Sequence, residues 1–219
     1  MKKILLITLI SLMWLATAQA KVETANAKTD KYTIKYPVVS LADPAVQEAI
    51  NNDIAVYVAN FVEAMENGMP LEKGTTTGND RLQYVNGATD FHVYYEDQDL
   101  LSLTFTDYRF SGGAHGMHTL YGLNYLKKTG ERLPLSYFVK VTPAQLEQEA
   151  QDNLYSVGGN KVDYTWKNSV KRVPTEFFLT GAGTVNIIFT PYELGPYAYG
   201  STYIKLTADK VQDYNNLNK

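Results

Sequence analysis

Between residues 44 and 67 apolar side chains recur at spacings of three and four: Val46, Ile50, Ile54, Val58, Phe61 and Met65. That period lines one face of an α-helix, with Gln47, Asn51, Asn60 and Glu63 off the stripe. Asp43-Pro44 is a helix start, Asp as N-cap and Pro at the first helical position, and Gly68 and Pro70 end the run. A continuous stripe of this kind reads as core packing, not as a ligand groove.

Elsewhere the period changes to two. Residues 31–40 alternate and are β-branched, which predicts a strand. Phe91, Val93 and Tyr95 alternate with Asp90, His92 and Tyr94, and Leu101, Leu103 and Phe105 alternate with Ser102, Thr104 and Thr106. The two runs flank Glu96-Asp97-Gln98-Asp99, so they predict a hairpin with one buried face. Tyr121, Leu123 and Tyr125 mark a third strand, closed by a turn at Lys128-Thr129-Gly130-Glu131. Thr142 and Gln145 form a capping-box pattern for a second helix running to about Tyr155. Phe177–Leu179 and Val185–Phe189 flank Gly181-Ala182-Gly183 as another hairpin, and Thr202–Leu206 is a last strand. Residues 71–81 read as a polar loop, and residues 160–174 carry no clear pattern. Helices segregated from antiparallel strands predict an α+β fold: an antiparallel sheet with one long N-terminal helix and a second helix packed on it.

The first residues follow a different logic. Lys2 and Lys3 precede an apolar run from Ile4 to Ala16, and Ala18-Gln19-Ala20 is a small-x-small cleavage site. The run is shorter than the roughly 20 apolar residues needed to cross a bilayer. We therefore expect a signal peptide over 1–20, a mature chain starting at Lys21, and no membrane anchor after cleavage. No cysteine follows the run, so no lipid is attached there. The expected product is an exported protein, periplasmic or secreted. A small polar segment, 21–30, reads as a tether. Residues 31–110 and 111–208 form two halves, and 209–219 a polar tail.

Composition narrows the function classes. Losing Lys2 and Lys3 lowers Lys+Arg from 20 to 18 against 23 acids, a net charge of −5. Nucleic acid needs clustered basic residues and is not an expected partner. With no cysteine there is no disulfide and no thiolate chemistry. Tyrosine is abundant, 17 residues against 8 Phe, and combines an apolar body with a polar tip suited to binding surfaces.

Two loops carry costly, specific residues. In the first, Ser111, Gly112, Gly113 and Gly116 surround His115, with His118 three residues on. The His-x-x-His spacing suits a metal, but glycines forbid the helix that would present both rings, and no third or fourth ligand is near. We expect no metal and no cofactor. The simplest role for His115 is to tie down a turn by hydrogen bonds. The second loop runs Pro191-Tyr192-Glu193-Leu194-Gly195-Pro196-Tyr197-Ala198-Tyr199-Gly200. Pro191, Pro196 and Gly200 fix its path, while Tyr192, Tyr197 and Tyr199 either pack on the sheet or offer an aromatic platform to a protein or glycan. Because each loop supplies what the other lacks, we expect them to meet, with His115 bonded to Tyr192 or Glu193. Neither a G-x-S-x-G elbow nor H-E-x-x-H occurs. No catalytic residue is assigned and no enzyme is expected. The competing readings are a hydrolase using His115 and Glu193 as an acid–base pair, and a purely structural envelope protein.

The same two loops carry a resemblance. Tyr108-Arg109-Phe110-Ser111-Gly112-Gly113-Ala114-His115-Gly116 resembles the S-G-G-A-H-G signature of a bacterial extracytoplasmic domain of unknown function. Tyr125–Gly130 is similar to its following strand and turn, and residues 191–200 resemble its closing P-Y-E-x-x-P-Y-A-x-G motif. Residues 31–110 resemble the domain that precedes it. Together they form the outer, lysozyme-sensing region of RsiV-type anti-sigma factors and the N-terminal region of PdaC-type peptidoglycan deacetylases. The resemblance implies a cell-envelope binding or sensor-type module without catalysis, with a lysozyme-like protein or peptidoglycan as partner. His115, Tyr192, Glu193, Tyr197 and Tyr199 are the candidate binding residues.

Overall fold

The computed structural model describes residues 19–70, 81–164 and 170–219. Residues 1–18, where a signal peptide is expected, most of the 71–81 loop and residues 165–169 of the patternless stretch lie outside the described residues. In chain order the elements are β1 (Lys21–Lys28), β2 (Tyr32–Ser40), α1 (Pro44–Asn67), β3 (Met69–Pro70), β4 (Arg81–Leu82), β5 (Asn86–Glu96), β6 (Leu100–Phe110), β7 (Met117–Leu126), α2 (Leu135–Phe138), α3 (Pro143–Asn153), β8 (Leu154–Ser156), β9 (Phe177–Leu179), β10 (Val185–Phe189), β11 (Thr202–Leu206) and α4 (Ala208–Leu217). The class is α+β, with strands mostly antiparallel and the long helix on a sheet.

α1 forms as its stripe predicts. Asp43 accepts from the amides of Ala45 and Val46, Pro44 opens the first turn, and Gly68 closes the last with φ 67°. Val46, Ile50 and Ile54 pack on Leu101, Leu103, Phe105, Leu123 and Tyr125, one face of a five-stranded sheet ordered β1-β2-β5-β6-β7. Phe61 and Met65 continue onto Tyr32 and Ile34. Asn51, off the stripe, has its own task. Its carboxamide accepts from Val39 N (2.9 Å) and donates to Val39 O (2.8 Å), replacing a strand neighbour where the parallel β2–β5 pairing is confined to Tyr32 and Thr33.

Residues 21–28 are not a tether. β1 pairs with β2 along its whole length, from Lys21↔Ser40 to Lys28↔Thr33. An edge strand has one partner and a solvated face, so it tolerates the polar composition that reads as a linker.

The hairpin of β5 and β6 forms around Asp97, whose carboxylate accepts from Asp99 N and Leu100 N, but β6 is covered on both faces, with Ser102 and Thr104 as buried as Leu101 and Leu103. A second sheet, ordered β8-β11-β10-β9, lies on the face expected to meet solvent. Its edge strand β9 docks on β6 and β7 through a buried polar set. Ser102 Oγ donates to Asn124 Oδ1 (2.6 Å) and accepts from Leu179 N (2.8 Å), while Asn124 Nδ2 donates to Phe177 O (2.7 Å). These side chains satisfy backbone groups of β9 that β10 does not reach, which buried strand edges require. Small hydroxyls and one amide thus serve as an inner face. Gly122 permits the approach: a Cβ there would lie 1.8 Å from Phe177 O. On the free edge of β7, Gly122 N donates to Glu176 (2.7 Å) and Gly122 O accepts from Arg132 (3.0 Å).

α3 has the predicted capping box at Thr142 and Gln145, but it ends at Asn153, and Leu154–Ser156 turn into β8 beside β11. It packs on the second sheet, not on the first. The polar tail expected at 209–219 is a helix. α4 buries Val211 and Tyr214 against that sheet, and Tyr214 Oη donates to Glu149 (2.5 Å), which also pairs with Lys210 (2.8 Å). Burial favours the neutral form of Glu149, but hydrogen bonds from Lys210, Tyr214 and Asn153 outweigh it and hold the carboxyl below its usual range. The two halves also divide later than residue 110, since β7 completes the first sheet and the chain leaves it after Leu126.

Candidate functional site

The first signature loop links β6 to β7. Arg109 fixes its entry: the guanidinium pairs with buried Asp107, lies 5.8 Å from the Phe61 ring and 5.6 Å from the Tyr84 ring, and so anchors the strand end. Ser111, Gly112, Gly113 and Ala114 form an exposed tip. Gly116 is buried, and a Cβ there would lie 2.3 Å from the Tyr108 ring, so only glycine lets the loop fold back over that tyrosine.

The second loop leaves β10. Leu194, 2% exposed, plants it in the core of the second sheet. Pro191 is buried ahead of it, Pro196 opens a 3-10 turn over Tyr197–Tyr199, and Gly200 closes that turn by donating to Tyr197 O (2.8 Å). Tyr192 sits at φ 72°, the only non-glycine residue at positive φ among the described residues. A bulky side chain there stores backbone strain of about 1–3 kcal/mol, which persists only when its surroundings over-determine it.

The two loops meet, as expected from the sequence, and the partner is Tyr192. His115 Nδ1 lies 3.0 Å from Gly116 O. A carbonyl only accepts, so Nδ1 donates to it, and Nε2 is left to bond Tyr192 Oη at 3.2 Å. The His115 ring stacks on Tyr197 at 3.7 Å and 20°, and Tyr197 Oη donates to the same Gly116 carbonyl. Burial is the main cause of a raised Tyr197 pKa, with Tyr108 and Tyr192 adding to it, which keeps that hydroxyl a donor. Tyr192 and Tyr197 lie 5.6 Å apart. His115 and Tyr192 remain exposed, so the result is a braced aromatic patch at the surface.

Glu193 is not part of it. Its carboxylate accepts from Thr190 N (2.7 Å) and Thr190 Oγ1 (2.9 Å) and pairs with Arg172 (2.6 Å). No hydrogen bond or ion pair joins it to His115 among the described residues. Tyr199 turns away from the patch: its ring covers Gly195 and lines a cleft of about 450 Å³ with Thr106, His118, Leu120, Ser156 and Asn160. The His118 ring lies tilted against Tyr108 at 4.6 Å and 38°, and desolvation lowers its pKa. Among the described residues no group of three or more His, Cys, Asp or Glu side chains is placed to hold a metal ion. A larger cavity, about 640 Å³ around Arg132, Leu135, Val139 and Glu176, contains none of the signature residues.

Sequence reasoning gave no role to the Tyr108 ring, which underlies the patch beneath Gly116. Tyr108 pairs with His118 across β6 and β7. The available signal was strand register: Tyr108 stands on the same face of β6 as Thr106.

Comparison with known proteins matches this division of the chain. The family model described as "Deacetylase PdaC" matches residues 23–118, and "Protein of unknown function (DUF3298)" matches residues 127–209. No curated protein matches. Among solved structures, a member of the DUF3298 family from Bacteroides fragilis is 14% identical, with a TM-score of 0.54 over 90% of this chain and 93% of that one. A DUF3298 family protein from Pseudomonas aeruginosa is 17% identical, with a TM-score of 0.52 over 89% and 93%. At such identity the likeness is one of fold: residues 23–118 are similar to the PdaC model, and residues 127–209 are similar to the DUF3298 family of unknown function.

Proposed function

We propose that this chain is an exported cell-envelope binding module without catalysis, and that it docks a lysozyme-like protein on the His115–Tyr192–Tyr197 patch. The observation that carries this reading is Tyr192: an exposed ring held in a strained backbone conformation and braced by His115. Strain kept at a surface position is a feature of ligand contacts, and rigid tyrosines give contact area at low entropic cost. The charge of −5 left once Lys2 and Lys3 are removed with the signal peptide favours a cationic partner and speeds its encounter. The commitments of Glu193 to Thr190 and Arg172 support binding over an acid–base pair with His115. Peptidoglycan itself is the alternative partner that the family resemblance implies.

Immobilised lysozyme and insoluble peptidoglycan are the two probes. Purified protein should be retained on lysozyme at low ionic strength, and His115→Ala should weaken retention well below its melting temperature. Retention on peptidoglycan alone would move the partner to the glycan. Retention on neither would remove the binding reading.

A further inference from the structure

The residue before β1 belongs to the fold. Ala20 is 7% exposed and packs among Val39, Val46, Ile50 and Leu101. Its amide donates to Glu96 Oε1 at 2.5 Å. The same oxygen accepts from Lys127 Nζ at 2.7 Å, and Lys127 also donates to Asp97 O at 2.7 Å. The side chains of Lys127 and Glu96 are 3% and 16% exposed. A carboxylate this far from water needs its donors, because unpaired capacity on a buried charge is costly. Ala20 therefore links the first residue of the edge strand to the ends of β5 and β7.

Cleavage after Ala20 would discard that amide and that methyl group. The sequence offers a second small-x-small site two residues earlier, Ala16-Thr17-Ala18, which meets the same requirement for small residues. We propose that the signal peptide is removed after Ala18, so that the mature chain begins at Gln19 and keeps Ala20 in the core. The inference rests on the export reading.

It carries a chemical consequence. Gln19 is exposed. A free N-terminal glutamine cyclises: its α-amine attacks the carbon of its own side-chain amide, the new C–N bond closes a five-membered lactam, and ammonia leaves. The mature protein then ends in an uncharged pyroglutamyl group directly before the Ala20–Glu96 bond.

The test is to express the full chain in a bacterium with a general secretion pathway, isolate the envelope fraction, and read the intact mass and N-terminal peptide. The expected chain starts at Gln19 and is lighter than the linear form by one ammonia. A start at Lys21 overturns the inference and leaves export intact. A chain still starting at Met1 overturns the export reading and the inference with it. Independently, chains prepared to start at Gln19 and at Lys21 should differ in melting temperature by roughly 2–4 °C, the Gln19 form higher; equal melting would remove the structural reason.

Discussion

Gly122→Ala will destabilise the protein by about 4 kcal/mol or more, or prevent folding, although it adds a single methyl group. Overpacking usually costs about 1–3 kcal/mol because side chains yield. Here the obstacle is backbone. The new Cβ would stand 1.8 Å from Phe177 O, 2.6 Å from its carbonyl carbon and 2.7 Å from its amide nitrogen. Relieving the clash means lifting β9, which strips Leu179 N from Ser102 and Phe177 O from Asn124. Buried unpaired groups of this kind cost about 1–3 kcal/mol each. It also displaces Glu176 and Arg132, which close the edge of β7 at the same residue. Urea denaturation checks this: a loss under 1 kcal/mol would mean that the two sheets do not touch as described.

Phe61→Ala will cost about 3–5 kcal/mol, and Ile54→Ala about 2–5 kcal/mol. Both side chains are essentially unexposed. Phe61 meets Tyr32 edge-on at 5.6 Å and supports the Arg109 guanidinium at 5.8 Å, so its loss also loosens the strand that leads to the first signature loop. Ile54 sits in the middle of the α1 contact with the first sheet. A shift below half a kcal/mol in the denaturant midpoint would show that the helix does not pack there.

The long helix was legible because its signal is local: one stripe, one cap and one glycine lie within a single stretch of chain. The second sheet was not. Ser102, Thr104 and Asn124 look like a solvated face, and only the arrival of β9 from more than 50 residues away turns their polarity into an interface. α4 escaped for a related reason, because its polar face is held by Glu149, a residue of another helix. The meeting of the two signature loops could be read from their composition, but the choice of partner could not. Positive φ at Tyr192 turns its ring towards His115, while Glu193 is consumed by Thr190 in its own turn. Those are backbone facts that no spacing rule encodes.

The central claim is that the Tyr192 ring is held under strain for binding, and Tyr192→Gly separates strain from contact. Glycine accepts φ 72° without steric strain, and the strain relieved offsets the backbone entropy it loses on folding, so the variant should melt close to the temperature of the wild type. Titration calorimetry against lysozyme should then show affinity reduced by roughly tenfold or more, as for removal of a buried tyrosine anchor at an interface. Unchanged affinity in a fully folded variant would contradict the claim.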